Sequence, residues 1–299
     1  MKKTLVVRLN KGLCNRLRVL LPAIAYSEVT TRKLLLNWPQ DKQFCAAIDD
    51  LWRVPYQQVG PLRTKLFENT FGRYTEKTLR LEIDDPVVYL NTIYAFWFDS
   101  FPAPRASYFS RLRPIKPLED KIESFAAQWF HEHVVVGVSI RYKGAHPKTL
   151  AASPPEWFIH RINEIHEQFP NVRFFLSTDC EEVSQQVRSS TQASICQFPR
   201  NYRNDRPDSI QEALCELYLL TRTNYILGSY WSSFSNMVSS LRGKLAYESS
   251  YENSKRRPDE ALIARVLATP ITTPACLTEV GKSQCSLASK AEGQRDMRG

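Results

Sequence analysis

Cationic and hydroxyl side chains gather just beyond hydrophobic runs in this sequence, and their types suit a phosphate or a nucleotide. The run Val134–Arg141, "VVVGVSIR", begins as an apolar, β-branched strand and ends on a guanidinium. Tyr142, Lys143, His146 and Lys148 follow in the next loop. Arg141 with Lys143 can hold a diphosphate, because a guanidinium presents a planar fork of donors that makes paired, charge-assisted hydrogen bonds. The alternative is an ordinary surface arginine where a strand meets water.

Three more loops have the same character. After the apolar run at residues 4–8, Gly12 permits a tight turn, and Asn15 and Arg16 stand at the start of a predicted helix. Free N–H groups and the dipole make a helix start attractive to an anion; equally, Asn15 can cap the helix and Arg16 be solvated. After "VRFFLST" (172–178), Asp179 can accept from a ribose hydroxyl or a base edge, or cap the next helix. After "NYILGS" (224–229), Ser232, Ser233, Phe234 and Ser235 open a further helix. Hydroxyls with free amides make a phosphate cradle, and simple N-capping by Ser232 or Ser233 is the other reading.

Other chemistries lack their motifs. No G-x-G-x-x-G follows a strand, which weighs against an ordinary dinucleotide site. Gly281-Lys282-Ser283 resembles the end of a P-loop but has Cys276 where the earlier glycine belongs. Asp49-Asp50 and Asp84-Asp85 are adjacent pairs rather than D-x-D, and no histidine pair has helical ligand spacing, so neither a metal nor a cofactor is expected. No nucleophile elbow supports a Ser–His–Asp triad.

The elements that must position these loops alternate in type. Strands are predicted at 4–8, 34–38, 87–90, 134–141, 172–178, 193–198, 224–229 and 244–249. Between them lie a helix from Leu13 to about Val29, in which Pro22 should force a kink or an end, and three sets at helical spacing. These are Phe158, Ile162, Ile165 and Phe169; Ile210, Leu214 and Leu217; and Phe234, Val238 and Leu241. Strand–helix alternation predicts an α/β fold with parallel sheets covered on both faces. Two prolines in "RLRPIKPLEDK" (111–121) place a boundary near residue 115, giving domains 1–115 and 116–269 and a tail 270–299 without periodicity.

Composition narrows the function class less. The net charge of +9 comes from basic residues spread without a run of five, so nucleic acid is not the expected partner; a diffuse positive field suits anionic small substrates or acidic membrane surfaces. Seven scattered cysteines without a C-x-x-C pair predict reduced thiols and a cytoplasmic protein. Leu5-Val6-Val7 is too short for the apolar region of a signal peptide, and no stretch approaches the roughly 18 apolar residues of a membrane span.

Taken together, "GLCNRLRVLLPAIAYSEVTTRKLLLNWP" (12–39), Ser139-Ile140-Arg141, Thr178-Asp179 and Ser232-Ser233-Phe234-Ser235 resemble, in order, the motifs of the fucosyltransferase superfamily. That superfamily includes the nodulation, α1,2-, α1,6- and protein O-fucosyltransferases; its pattern is an N-R or N-Q loop, an H-x-R strand end, a T-D strand end and an S-S-F-S loop. The matches cover roughly residues 4–40 and 134–245. The resemblance implies a GT-B fold, two Rossmann-like domains with a GDP-sugar in the cleft between them and no metal. Arg141 would pair with the β-phosphate of the leaving group. Asn15, with the Gly12–Arg16 loop, would approach the diphosphate and the sugar. Ser139 and Lys143 would belong to the donor site, Asp179 would contact the guanosine, and Ser232, Ser233, Phe234 and Ser235 would bracket the nucleotide. Ser139 departs from the family histidine, and Gly144 stands where many members have an acid. The implied reaction is a metal-independent, inverting transfer of a sugar, fucose from GDP-fucose, to a glycan acceptor, in the cytoplasm and peripheral to a membrane. Asp205, Asp208 and Glu212 are candidate bases by location only. A non-catalytic nucleotide- or glycan-binding module is the alternative.

Overall fold

The structure, a computed structural model, describes residues 3–42, 44–71, 73–203, 206–242, 247–248, 264 and 267. The chain divides into two compact units, Met1–Leu118 with Arg203–Gln211, and Glu119–Tyr202 with Glu212–Gly299. Residues 203–211, expected in the second domain, group with the first, and the tail 270–299 lies outside the described residues.

In chain order the elements are β1 (Thr4–Arg8), α1 (Leu13–Val29), β2 (Lys33–Asn37), a 3-10 turn (Ile48–Asp50), β3 (Trp52–Arg53), β4 (Gln57–Gln58), α2 (Pro61–Phe71), β5 (Val87–Asn91), α3 (Arg105–Phe109), β6 (Arg113–Pro114) and α4 (Lys116–Trp129). There follow β7 (Val135–Ile140), α5 (Pro147–Ala152), α6 (Pro155–Gln168), β8 (Arg173–Thr178), α7 (Glu181–Ser189), β9 (Ser194–Gln197), α8 (Pro207–Leu220), β10 (Tyr225–Gly228), α9 (Ser233–Leu241) and β11 (Tyr247–Glu248). Of the strand expected at 244–249, only Tyr247–Glu248 is described.

The first unit holds a four-stranded sheet of order β4-β2-β1-β5, parallel throughout. Helix α1 passes through Pro22 as one segment, against the sequence expectation of a kink or an end. Burial on almost every side explains this: Leu17, Leu20, Ala23, Ile24 and Tyr26 are all enclosed, and such packing offsets a proline cost of about 3 kcal/mol.

The second unit holds a parallel sheet of order β11-β10-β7-β8-β9. Counted from β7 this is the 3-2-1-4-5 order of a Rossmann sheet, with its topological switch point between β7 and β10. Every residue of β7 is buried, as a central parallel strand requires. On one face Val136, Val138 and Ile140 join Phe158, Ile162 and Ile165 of α6 and Val183 and Val187 of α7 in a single core. The helical spacing read from the sequence therefore marks the buried stripe of α6. On the other face Gly137 lies against the end of α8, and Ser139, two residues on, faces α9.

A buried polar group lies on that second face of the neighbouring strand. Ser177 of β8 donates to Glu216 of α8 (3.0 Å), and the same carboxylate oxygen takes the Arg200 guanidinium. Complete burial outweighs that cation and the hydroxyl, and pushes the Glu216 carboxyl up to about 7.

Two outcomes follow from this packing. A methyl group at position 137 would meet Leu220 Cδ2 and Thr223 Oγ1 at 2.8 Å each, so Gly137→Ala should lower unfolding stability by about 1–3 kcal/mol in a denaturant titration. The Glu216 pKa is raised on folding, so the stability it contributes is complete below its unfolded value of 4.5 and is lost as pH rises through about 7. The thermal midpoint should accordingly fall between pH 5 and 8, and Glu216→Gln should flatten that slope; an unchanged slope in the variant would assign it to other groups.

Candidate functional site

Ligands of doubly wound sheets gather beyond the carboxyl ends of the strands at the switch point, which in the second unit means the ends of β7 and β10. There the chain is tied together by serines. Ser229 donates its N–H to the Ser139 carbonyl (3.1 Å), and the Arg141 N–H donates to Ser229 Oγ (3.0 Å). The hydroxyls of Ser139 and Ser235 are 3.0 Å apart, so β7 is pinned to the first turn of α9. Ser139 and Ser235 are thus buried and engaged with each other.

Arg141 emerges from this frame with its side chain 43% exposed, and one guanidinium nitrogen, Nη1, is bonded to Asp179 Oδ2. The other carboxylate oxygen accepts from the N–H groups of Tyr142 (2.8 Å) and Lys143 (3.0 Å). Asp179 therefore does what neither sequence reading anticipated. It does not cap α7, whose N-cap is Cys180, and its 7% exposed carboxylate already takes three donors from the β7 loop. Its geometry makes it the anchor of Arg141. Arg141 Nε and Nη2 have no protein partner among the described residues and remain able to grip a doubly charged oxyanion. Lys143 is exposed beside it, and Gly144, at φ 61°, makes the left-handed turn that follows.

Helix α9 supplies the second half. Ser232 is its N-cap, with Oγ accepting from Ser235 N–H (3.3 Å), so the capping reading holds for Ser232. Ser233 and Phe234 are half-buried in the first turn, where amide donors face no carbonyl of the helix itself. A positive helix end and a half-free guanidinium on adjacent strands can together stabilise a phosphate.

The remaining candidates belong to the first unit and divide sharply. The β1–α1 turn has its left-handed residue at Lys11 (φ 68°), while Gly12, at φ −71° and with open space for a side chain, is the N-cap of α1. The tight-turn role expected of Gly12 therefore falls to Lys11. Asn15, as the third helical residue, is not the cap; it is half-buried, with no side-chain partner among the described residues. Arg16 is 0% exposed and does not face solvent or an external anion. Its guanidinium packs over the edge-to-face pair of Trp38 and Phe44, 4.6 and 4.0 Å from their ring centroids. Nε donates to the Lys11 carbonyl (2.7 Å) and Nη2 to the Pro39 carbonyl (2.8 Å). Burial lowers its pKa to about 10, against the opposing charge of Asp41. Arg16 is a structural bolt between two loops, and its assignment to the donor site is corrected on that ground.

Sequence reading overlooked Asn10 and Asn91, at the carboxyl ends of β1 and β5. Asn10 Nδ2 donates to Asn91 Oδ1 (3.2 Å), and Asn10 Oδ1 accepts from Arg8 Nε (3.3 Å). The only signal was a polar residue just past each apolar run. Of the candidate bases, Asp208 pairs with Arg206 (3.3 Å) and accepts from Ser209 N–H (3.1 Å), and Glu212 accepts from Asn201 N–H (2.7 Å). Asp205 lies outside the described residues. Among the described residues, no group of three or more His, Cys, Asp and Glu stands close enough to hold a metal ion, and no helix is long and apolar enough to cross a membrane.

No family model and no curated protein matches the sequence. Solved structures do match the fold. The NodZ α-1,6-fucosyltransferase soaked with GDP-fucose superposes with a TM-score of 0.57 at 14% identity, over 80% of this chain and 93% of its own. A mutant of Arabidopsis thaliana FUT1 in complex with GDP gives 0.56 at 14% identity, over 81% of this chain and 68% of its own. POFUT1 in complex with GDP gives 0.51 at 12% identity, over 83% and 98%. The α/β fold of the GT-B class, with two Rossmann-like units, is the fold this chain shares with those fucosyltransferases.

Proposed function

We propose that this chain is a glycosyltransferase that moves fucose from GDP-fucose to a glycan acceptor, with inversion at the anomeric carbon and without a metal. One observation carries the reading. At the switch point of a Rossmann sheet, Asp179 holds Arg141 in place while leaving two of its nitrogens open. The shared fold supports it, because structures it matches include ones solved with GDP or GDP-fucose.

In the proposed step the bond from the anomeric carbon to the β-phosphate oxygen breaks, and the acceptor oxygen bonds to that carbon. The acceptor's proton leaves to a base or to solvent, and GDP departs. Negative charge grows on the β-phosphate as the bond lengthens. Arg141, Lys143 and the first-turn amides of α9 supply the counter-charge, and donors already aimed at developing charge need no reorganisation during the reaction. Asp179 keeps the guanidinium in one rotamer, at the cost of offsetting part of its charge. The net charge of +9 suits work beside a membrane-bound glycan intermediate in the cytoplasm, which we include in the proposal.

Calorimetry without metal should show GDP binding more tightly than UDP. Arg141→Ala should reduce fucose transfer from GDP-fucose by about 10²–10³-fold. It should also lower the thermal midpoint modestly, because the buried Asp179 carboxylate loses its one charged donor, so transfer is compared at a temperature where both proteins are folded. Asp179→Asn, which keeps the shape and removes the charge, should lower turnover by about tenfold through loss of positioning. GDP binding with neither transfer nor donor hydrolysis would make the chain a binding module, and a wild type that binds no nucleotide would refute the proposal.

A further inference from the structure

Trp231, between β10 and α9, has the left-handed backbone that bulky residues rarely adopt (φ 58°), and its side chain is 60% exposed. Strain of this kind persists only where the surroundings enforce it, and it concentrates at binding and catalytic sites. The surroundings do enforce it here. Tyr230 N–H donates to Ser153 Oγ (2.8 Å), which fixes the preceding residue. The Tyr230 ring lies within 12° of parallel to the indole, with centroids 5.8 Å apart. His146 meets the indole edge-on at 5.8 Å, and Lys148 Nζ lies 5.9 Å from its centroid. Two loops, one carrying Arg141 and the other leading into α9, thus converge on a ring that a purely structural role would bury.

The nucleoside contacts expected from sequence are otherwise engaged. Ser139 is buried against Ser235, and Asp179 already takes Arg141 and two backbone amides. What the switch point offers to solvent is instead aromatic and cationic: Trp231, Tyr142, Lys143, His146 and Lys148. An aromatic face binds a nucleobase by stacking without reading its edge, and neighbouring cations suit the attached phosphates.

We propose that Trp231 is the stacking platform for the purine base of the nucleotide donor. The inference rests on the glycosyltransferase reading and adds to it the group that holds the base.

Affinities for GDP, for GDP-fucose and for inorganic pyrophosphate as a competitor should be compared in wild type, Trp231→Ala and Trp231→Phe. Trp231→Ala should weaken GDP by about tenfold or more while pyrophosphate competes as before, and Trp231→Phe should keep most of the affinity. Equal loss for GDP and pyrophosphate would overturn the inference, since it would mean a damaged phosphate site. Loss for GDP-fucose alone would also overturn it, by placing the ring against the sugar, as would wild-type GDP affinity in the alanine variant at an unchanged thermal midpoint. A wild type that binds no GDP would instead refute the donor reading on which the inference depends.

Discussion

The ion pair between Arg141 and Asp179 is the constraint around which the second unit is arranged. A carboxylate at the end of β8 takes two backbone N–H groups of the β7 loop and one nitrogen of the guanidinium, which fixes the loop and the cation together. Burying that carboxylate is tolerable only because its donors are all present. Arg141 is thereby pre-aimed, and an arginine whose rotamer is already set loses less freedom on gripping an oxyanion.

The frame beneath the pair has to be rigid for this to work. Ser139 and Ser235 join β7 to α9, Ser229 receives the Arg141 N–H, and Ser177 joins β8 to the Glu216–Arg200 pair. Ser139 and Ser177 fall on the faces of their strands away from the aliphatic core of α6 and α7, so period-two alternation separates an apolar face from a polar one. The small residue Gly137 lets α8 approach that polar face closely.

The architecture was legible because it depends on local pattern. Continuous apolar strands, helical spacing at Phe158, Ile162 and Ile165, and loops rich in Ser, Asp and Arg all act over a few residues. What escaped depends on partners distant in sequence. Arg16 and Arg141 look alike as arginines near strand ends, yet one is enclosed by Trp38 and Phe44 and the other is held half-open by Asp179. The rings that enclose Arg16 and the carboxylate that holds Arg141 are both far from them in sequence. That Asp179 anchors Arg141 was not legible because its partners, at 141–143, lie in the loop after another strand. Pro22 misled in the opposite direction, since its local cost is outweighed by the burial of the whole helix around it.

The central claim is that the β7 and β10 ends of the second unit hold the diphosphate of a nucleotide through Arg141. A crystal structure of the protein with GDP tests it most directly. The account predicts the β-phosphate against Arg141 Nε and Nη2 and the first turn of α9, with the Asp179 contact to Nη1 retained. A nucleotide bound elsewhere, or one whose phosphates leave Arg141 untouched, would contradict it.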